Sequence, residues 1–332
     1  MITLSDFQHT FQQILLSYFK IKSKELNNIH PVGKMLTQII ENFTTDGGKK
    51  IRPALFYSAY ISYNQKHKDI ILKMSVLFEL IQSFALIHDD IIDHSPVRRG
   101  NPTIYKKYGT DKALLIGDLA LTFADEIYTK QMDKLLIPLE IRYKCNSCFN
   151  ALKQEVIVGE YLDYVKDRDI DTVMLLKTAR YSFVRPVELG LLLAGTEKEQ
   201  IKKWLDIALK IGYIFQMKDD YIGTFETQAK IGKSITSDIE EGKNTLITQL
   251  FLKKANKEEE KKFRTFFGNS KISNEDFTWY LKLLKAKGID KEIQFLIQTE
   301  LEKTVKIIKE SEEIPVSSLF LEICGILDQF SL

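Results

Sequence analysis

The chain has 332 residues, of which 44% are hydrophobic and 28% charged, with a formal net charge of +2. A balance this close to neutral excludes a nucleic-acid-binding surface, and the length is ample for a large buried core. No Pro-, Gly- or Ser-rich stretch divides the chain, so helical apolar periodicity running nearly throughout predicts one all-α domain over residues 1–332.

In chain order, the Phe7 to Phe19 stretch is amphipathic and interrupted by polar residues, which reads as a packed helix rather than a secretory signal or a membrane span. Next comes Asp46-Gly47-Gly48-Lys49-Lys50-Ile51-Arg52-Pro53. Its glycines permit a tight turn, and Pro53 suits the first turn of a following helix. Lys49 and Arg52 then stand near a helix N-terminus, where an anion is favoured. The motif is not a phosphate-binding P-loop, which would need Gly-x-x-x-x-Gly-Lys-Ser/Thr.

An apolar run ends at His88-Asp89-Asp90-Ile91-Ile92-Asp93. Asp89 and Asp93 are one helical turn apart on one face. Like charges at that spacing repel by roughly 0.2–0.5 kcal/mol, and burial raises the cost. A cation between them relieves it, and Mg²⁺, which takes carboxylate and phosphate oxygens, suits the spacing. Asp90 points about 100° away and is expected to bridge or cap rather than chelate. His88 is expected to be structural. Arg98-Arg99-Gly100 follow Pro96 as a loop beside the acidic end. Reading the helix backwards, Ala85, Gln82 and Phe78 fall within about 40° of the Asp89 face, whereas Phe84 lies roughly 140° around it, on a flank.

Further on, Leu114-Leu115-Ile116 and Leu119-Ala120-Leu121 are more apolar than one core requires. Cys145, Cys148 and Cys324 are the only cysteines; a lone Cys-x-x-Cys without a second ligand pair predicts reduced thiols. Val165 to Asp171 and Thr224 to Lys230 read as polar loops, the second a lid. Between them a second acidic patch, Gln216-Met217-Lys218-Asp219-Asp220-Tyr221, stands about 130 residues beyond the first and is followed by Lys233 and Lys243. Lysines 253, 254, 257, 261 and 262 alternate with Glu258 to Glu260 and form an exposed helix face.

From about residue 30 onward the chain resembles the trans-isoprenyl diphosphate synthases, or polyprenyl synthetases, which include farnesyl and geranylgeranyl diphosphate synthases. The resemblance rests on the motifs at 47–53, 86–93 and 98–103, on Lys177-Thr178-Ala179, on Phe215 to Tyr221 and on Gly232-Lys233-Ser234, continuing to Gly242-Lys243-Asn244-Thr245. It implies a single large helical bundle around a central cavity and a prenyltransferase that adds isopentenyl diphosphate head-to-tail to an allylic diphosphate. By the same resemblance Asp89, Asp93 and Asp219 are the metal ligands, with about three Mg²⁺ per active site. Arg98, Lys177, Lys233 and Lys243 would bind the allylic diphosphate. Thr178 and Gln216 would contact the developing cation, completing with Lys177 and Lys233 the catalytic set. Lys49, Arg52, Gln82 and Arg99 would hold isopentenyl diphosphate.

Family members set product length with the residues four and five places before the first Asp. Ala85 and Phe84 there, with the Tyr181 to Pro186 stretch, are similar to geranylgeranyl-type enzymes, so a twenty-carbon product is expected. The family also implies a homodimer through the Leu114 to Leu121 region and a soluble cytoplasmic enzyme, without integral membrane association. Four departures stand out. Gln82 replaces a common His, Glu160 a common Gln, Gly223 the last carboxylate of the second acidic motif, and the C-terminus lacks a basic tail. Gly223 removes one acceptor near the metals. A farnesyl or longer product, a weakly active partner subunit on the same scaffold, and a class I terpene cyclase are the competing readings. The cyclase reading has no use for the Gly48-Lys49 and Arg52 cluster.

Overall fold

The computed structural model describes residues 3–167, 169–226, 236–269 and 272–329. The N-terminal helices are α1 (Leu4–Ile29), α2 (Val32–Thr45), α3 (Ile51–Tyr63), α4 (Lys68–Met74) and α5 (Val76–Ile92). There follow α6 (Ile104–Tyr108), α7 (Thr110–Met132), α8 (Leu139–Tyr164) and α9 (Ile170–Met174). A π-helical segment, Leu175–Val184, leads directly into α10 (Arg185–Ala194), and α11 spans Lys198–Phe225. The C-terminal part holds α12 (Ser237–Glu240), α13 (Leu246–Lys254), α14 (Lys257–Phe266), α15 (Asn274–Ala286), α16 (Ile289–Lys309) and α17 (Pro315–Gln329). Among the described residues the sole sheet is a ribbon of β1 (Val97–Arg98) and β2 (Asn101–Pro102), paired antiparallel. Arg99 and Gly100 turn it with φ of 53° and 77°, the double positive φ that a two-residue hairpin demands.

The periodicity seen in the sequence is realised as packing. On α1, Phe7, Phe11, Leu15 and Phe19 are all buried, four residues apart on one stripe. Phe7 stacks on Phe11 and meets Tyr57 of α3 at 5.8 Å between ring centroids. The helix opens with a capping box in which Thr3 and Asp6 satisfy each other's backbone N–H. One continuous apolar core runs from Leu4 to Leu327. The α4–α5 stretch, Lys68–Ile92, is long and apolar enough to cross a membrane by composition, but 72% of its most apolar window is buried within the protein. It is the central core helix, and it carries the first acidic motif at its C-terminal end.

Three sequence expectations need correction. Helix α9 begins at Ile170, so the loop expected over Val165 to Asp171 ends two residues earlier. Helix α11 continues through Thr224 and Phe225, so the loop expected from Thr224 begins later. Its second half, 227–230, lies outside the described residues. Phe78 does not extend the stripe of Ala85 and Gln82 along the site: it is fully buried against Phe56 of α3, with centroids 5.1 Å apart. Helical phase placed it on that face, but neighbouring α3 closes the face off.

Candidate active site

The first acidic motif ends α5. Asp89 and Asp90 are buried, and both are met by Arg98 from the ribbon. Arg98 Nη2 donates to Asp89 Oδ2 at 2.8 Å and Nε to Asp90 Oδ1 at 2.7 Å. Burial opposes the charge on Arg98, yet Asp89 and Asp90 outweigh it and raise its pKa. Asp90 therefore bridges to the ribbon, turned away from Asp89 as helical phase requires. The other oxygen of Asp89 accepts from Lys177 Nζ at 3.2 Å. Lys177 also meets Asp163 Oδ2 at 2.5 Å and Glu160 Oε2 at 3.1 Å. Burial works against this ammonium too, but Asp89, Asp163 and Glu160 raise its pKa above the ordinary lysine value. Glu160 itself is pushed up to about 8, chiefly by burial, with Lys177 opposing and Asp89 reinforcing the shift. Asp93 is held by Lys243 Nζ at 3.0 Å.

Lys177 and Thr178 belong to the π-helical segment, whose i→i+5 hydrogen bonds widen each turn. Two glycines seat this wide turn. A methyl on Gly159 of α8 would lie 2.4 Å from the Lys177 amide nitrogen, and one on Gly212 of α11 would lie 2.6 Å from Ala179 Cα. The backbone therefore approaches both helices at distances that only glycine allows. Thr178 Oγ1 donates to Gln216 Oε1, and Gln216 Nε2 donates in turn to Asp220 Oδ1 at 2.7 Å. A line of oxygen dipoles thus runs from the π-helical segment to the second acidic motif.

Two adjoining cavities are built from these elements. The first, about 420 Å³, is lined by Asp89, Arg98, Lys177, Thr178, Gln216, Asp219 and Lys243, with apolar Ala85, Val156 and Met174 below. The second, about 630 Å³, is lined by Gly48, Lys49, Arg52, Gln82, Arg99 and Lys218. Arg52, Gln82, Arg99, Phe215 and Asp219 belong to both walls. Burial lowers the pKa of Lys49, Lys218 and Arg99, as for cations gathered in one desolvated pocket. Lys50, by contrast, turns inward. It donates to Thr44 O at 2.8 Å and pairs with buried Glu79 at 2.9 Å, so Lys50 is committed to the protein framework.

The predicted site residues thus fall into two groups. Asp89, Asp219, Arg98, Lys177, Thr178, Gln216, Lys243 and Ala85 line the first cavity. Lys49, Arg52, Gln82 and Arg99 line the second. Asp93 reaches the first group through Lys243. Lys233 lies outside the described residues. Phe84 lines neither cavity; it is buried with its ring 4.7 Å from that of His88. His88 is itself held against α7, with Nε2 3.3 Å from Leu114 O and a glycine, Gly117, directly opposite its ring. Sequence reasoning missed Asp163, Tyr181 and Lys218. Lys218 adjoins the second motif and its charge was a usable signal. Asp163 and Tyr181 become legible only once α8 and the π-helical segment are brought together.

The residues fit a hard divalent cation. Among the described residues every candidate metal ligand in the first cavity is a side-chain oxygen, and no His or Cys lines it. Among the described residues no three His, Cys, Asp or Glu side chains already converge as a metal cage.

Comparison with known proteins agrees with this architecture. The polyprenyl synthetase family model matches residues 33–284. A short chain isoprenyl diphosphate synthase of Methanocaldococcus jannaschii is 30% identical over 72% of this chain and 73% of its own. A geranylgeranyl diphosphate synthase of Sulfolobus acidocaldarius is 27% identical over 86% of this chain and 87% of its own. A geranylgeranyl pyrophosphate synthase from Corynebacterium glutamicum, solved with isoprenyl diphosphate and magnesium, superposes with a TM-score of 0.87 at 27% identity, covering 98% of each chain. With the family model spanning residues 33–284 and a relative 30% identical over 72% of the chain, the chain belongs to the polyprenyl synthetase family.

Proposed function

We propose that this chain condenses isopentenyl diphosphate with an allylic diphosphate and releases geranylgeranyl diphosphate. The observation that carries the reading is the pair of cavities sharing the wall of Arg52, Gln82, Arg99, Phe215 and Asp219. Two diphosphates bound there would bring their reacting carbons together, one over the apolar floor and the other beside it.

Mg²⁺ bound by Asp89, Asp93 and Asp219, about three ions with the diphosphate oxygens as further ligands, would neutralise the charge that grows on the leaving group. Arg98, Lys177 and Lys243, with Lys233, hold the allylic diphosphate and stabilise pyrophosphate as the C–O bond breaks. Thr178 and Gln216 turn oxygen dipoles toward the allylic cation. Lys49, Arg52, Gln82 and Arg99 fix the second diphosphate, so that its double bond attacks the cation and a proton is then lost. Ala85 leaves room for the growing chain. Phe84 lines neither cavity, so its bearing on product length would run through its packing on His88.

The reading includes one domain, a cytoplasmic location and a homodimer. For the last, exposed Leu115 on α7 and Ile157, Val158 and Tyr161 on α8 supply an apolar face; light scattering that finds a monomer at working concentration rejects it. The decisive experiment incubates the purified protein with Mg²⁺, isopentenyl diphosphate and each allylic primer, then sizes the products. A twenty-carbon product is expected. A fifteen-carbon sole product overturns the product assignment, and no product with any primer overturns the enzyme reading.

A further inference from the structure

Tyr181 occupies an unusual position between the two cavities. It sits in the π-helical segment, is buried, and lines the first cavity. Its hydroxyl donates to Gln82 Oε1. Its ring faces the Arg52 guanidinium, 4.7 Å from Arg52 Cζ to the ring centroid. The next residue, Ser182, accepts from Arg52 Nη2 at 2.7 Å. One stretch of the wide turn therefore touches Gln82 and Arg52, two of the five side chains that belong to both walls at once.

We infer that Tyr181 is a positioning residue that locks the polarity of the Gln82 amide, so that Gln82 serves the second cavity as a hydrogen-bond donor. A glutamine amide has a donating end and an accepting end of nearly equal size. Beside Arg52 and Arg99, both cationic, an unconstrained amide would turn its oxygen toward the guanidinium groups. That orientation points a partial negative charge at an incoming diphosphate. With Oε1 engaged by the Tyr181 hydroxyl, Nε2 is the end left to face the cavities, and among the described residues it makes no other hydrogen bond. The Tyr181 ring at the same time carries Arg52 by a cation–π contact, 4.7 Å from Cζ to the ring centroid. The hydroxyl and the ring have separable tasks: one orients an amide, the other a guanidinium.

The inference rests on isopentenyl diphosphate occupying the second cavity, and the test separates the two. Tyr181→Phe keeps the ring and removes the hydroxyl. It is expected to raise KM for isopentenyl diphosphate about tenfold, as for loss of one donor to a charged group, with kcat and KM for the allylic substrate within about twofold. Gln82→His provides the rescue, because either imidazole nitrogen can carry the proton. Adding Tyr181→Phe to Gln82→His is expected to leave KM where Gln82→His put it. Arg52→Gln is the control for the cavity assignment. If Arg52→Gln raises KM for isopentenyl diphosphate and Tyr181→Phe does not, the polarity lock is wrong and the cavity assignment stands. If neither moves it, the cavity assignment is wrong. If Tyr181→Phe lowers kcat, moves both KM values, or acts equally in the Gln82→His background, Tyr181 is only part of the framework and the inference fails.

Discussion

The two cavities differ in how their charge is spent. Among the described residues the first is lined by five cations, Arg52, Arg98, Arg99, Lys177 and Lys243, and by five carboxylates, Asp89, Glu160, Asp163, Asp219 and Asp220. The second has five cations, Lys49, Lys50, Arg52, Arg99 and Lys218, against three carboxylates, Glu79, Asp219 and Glu226. In the first, three of the cations are already paired with acids: Arg98 and Lys177 with Asp89, and Lys243 with Asp93. With the Glu160 carboxyl pushed up to about 8, the remaining acids nearly balance the cations there, so on the proposed reading an anion would enter together with a divalent cation. The second has a surplus of positive charge and can accept a diphosphate directly. On the proposed reading one scaffold would present two anion sites, and only the first would require a metal.

Removing the carboxylate at the centre of the metal-requiring side is the hardest blow to this contrast. Asp89→Ala is expected to lower kcat roughly a thousandfold, in line with loss of a main transition-state charge stabiliser, in steady-state turnover with saturating Mg²⁺. Retention of more than a tenth of wild-type turnover breaks the assignment. Chelation tests the asymmetry directly. With EDTA present, calorimetric titration is expected to show affinity for a non-hydrolysable allylic diphosphate analogue weakened by about a hundredfold or more, while isopentenyl diphosphate binds within about twofold of its original affinity. Equal loss of both would mean that the cavities are not electrostatically distinct.

Arg52→Gln probes the cation-rich side. Deleting one charged donor costs about 1.5–3 kcal/mol, so KM for isopentenyl diphosphate should rise by roughly ten- to a hundredfold while the Mg²⁺ requirement is unchanged. Gly159→Ala tests the support behind Lys177 rather than the charges themselves. A methyl there collides with backbone, and overpacking of this kind costs about 1–3 kcal/mol. A lower melting temperature and a kcat reduced several-fold are expected, and unchanged values of both would show that the wide turn adapts without loss. The smallest effect on turnover should come from Ala85→Phe. It fills the floor of the first cavity, so product sizing should show shorter chains with kcat within about fivefold, since no charge is touched.

Much of this was legible in the residues themselves. The four-residue spacing of Asp89 and Asp93 and the apolar run before them predicted a helix end with a one-sided acidic face, because helical phase is a local property. The Gly47-Gly48 turn before Arg52-Pro53 predicted the start of α3, and the Phe7 to Phe19 pattern predicted the buried stripe of α1. These follow from steric and periodic rules that act within a few residues.

What the sequence did not disclose depends on neighbours distant along the chain. The wide turn at Leu175–Val184 exists where Gly159 and Gly212, on two other helices, let its backbone come close. Phe78 lies on the right face of α5 but is covered by Phe56, and Phe84 is taken up by His88. The pairing of Tyr181 with Gln82, 99 positions apart, leaves no mark in local composition. The amino-acid order by itself determined which side chains carry charge and which helices have an apolar stripe. Tertiary packing decided which charges face one another, because that is set by helix contacts and backbone approach rather than by residue type.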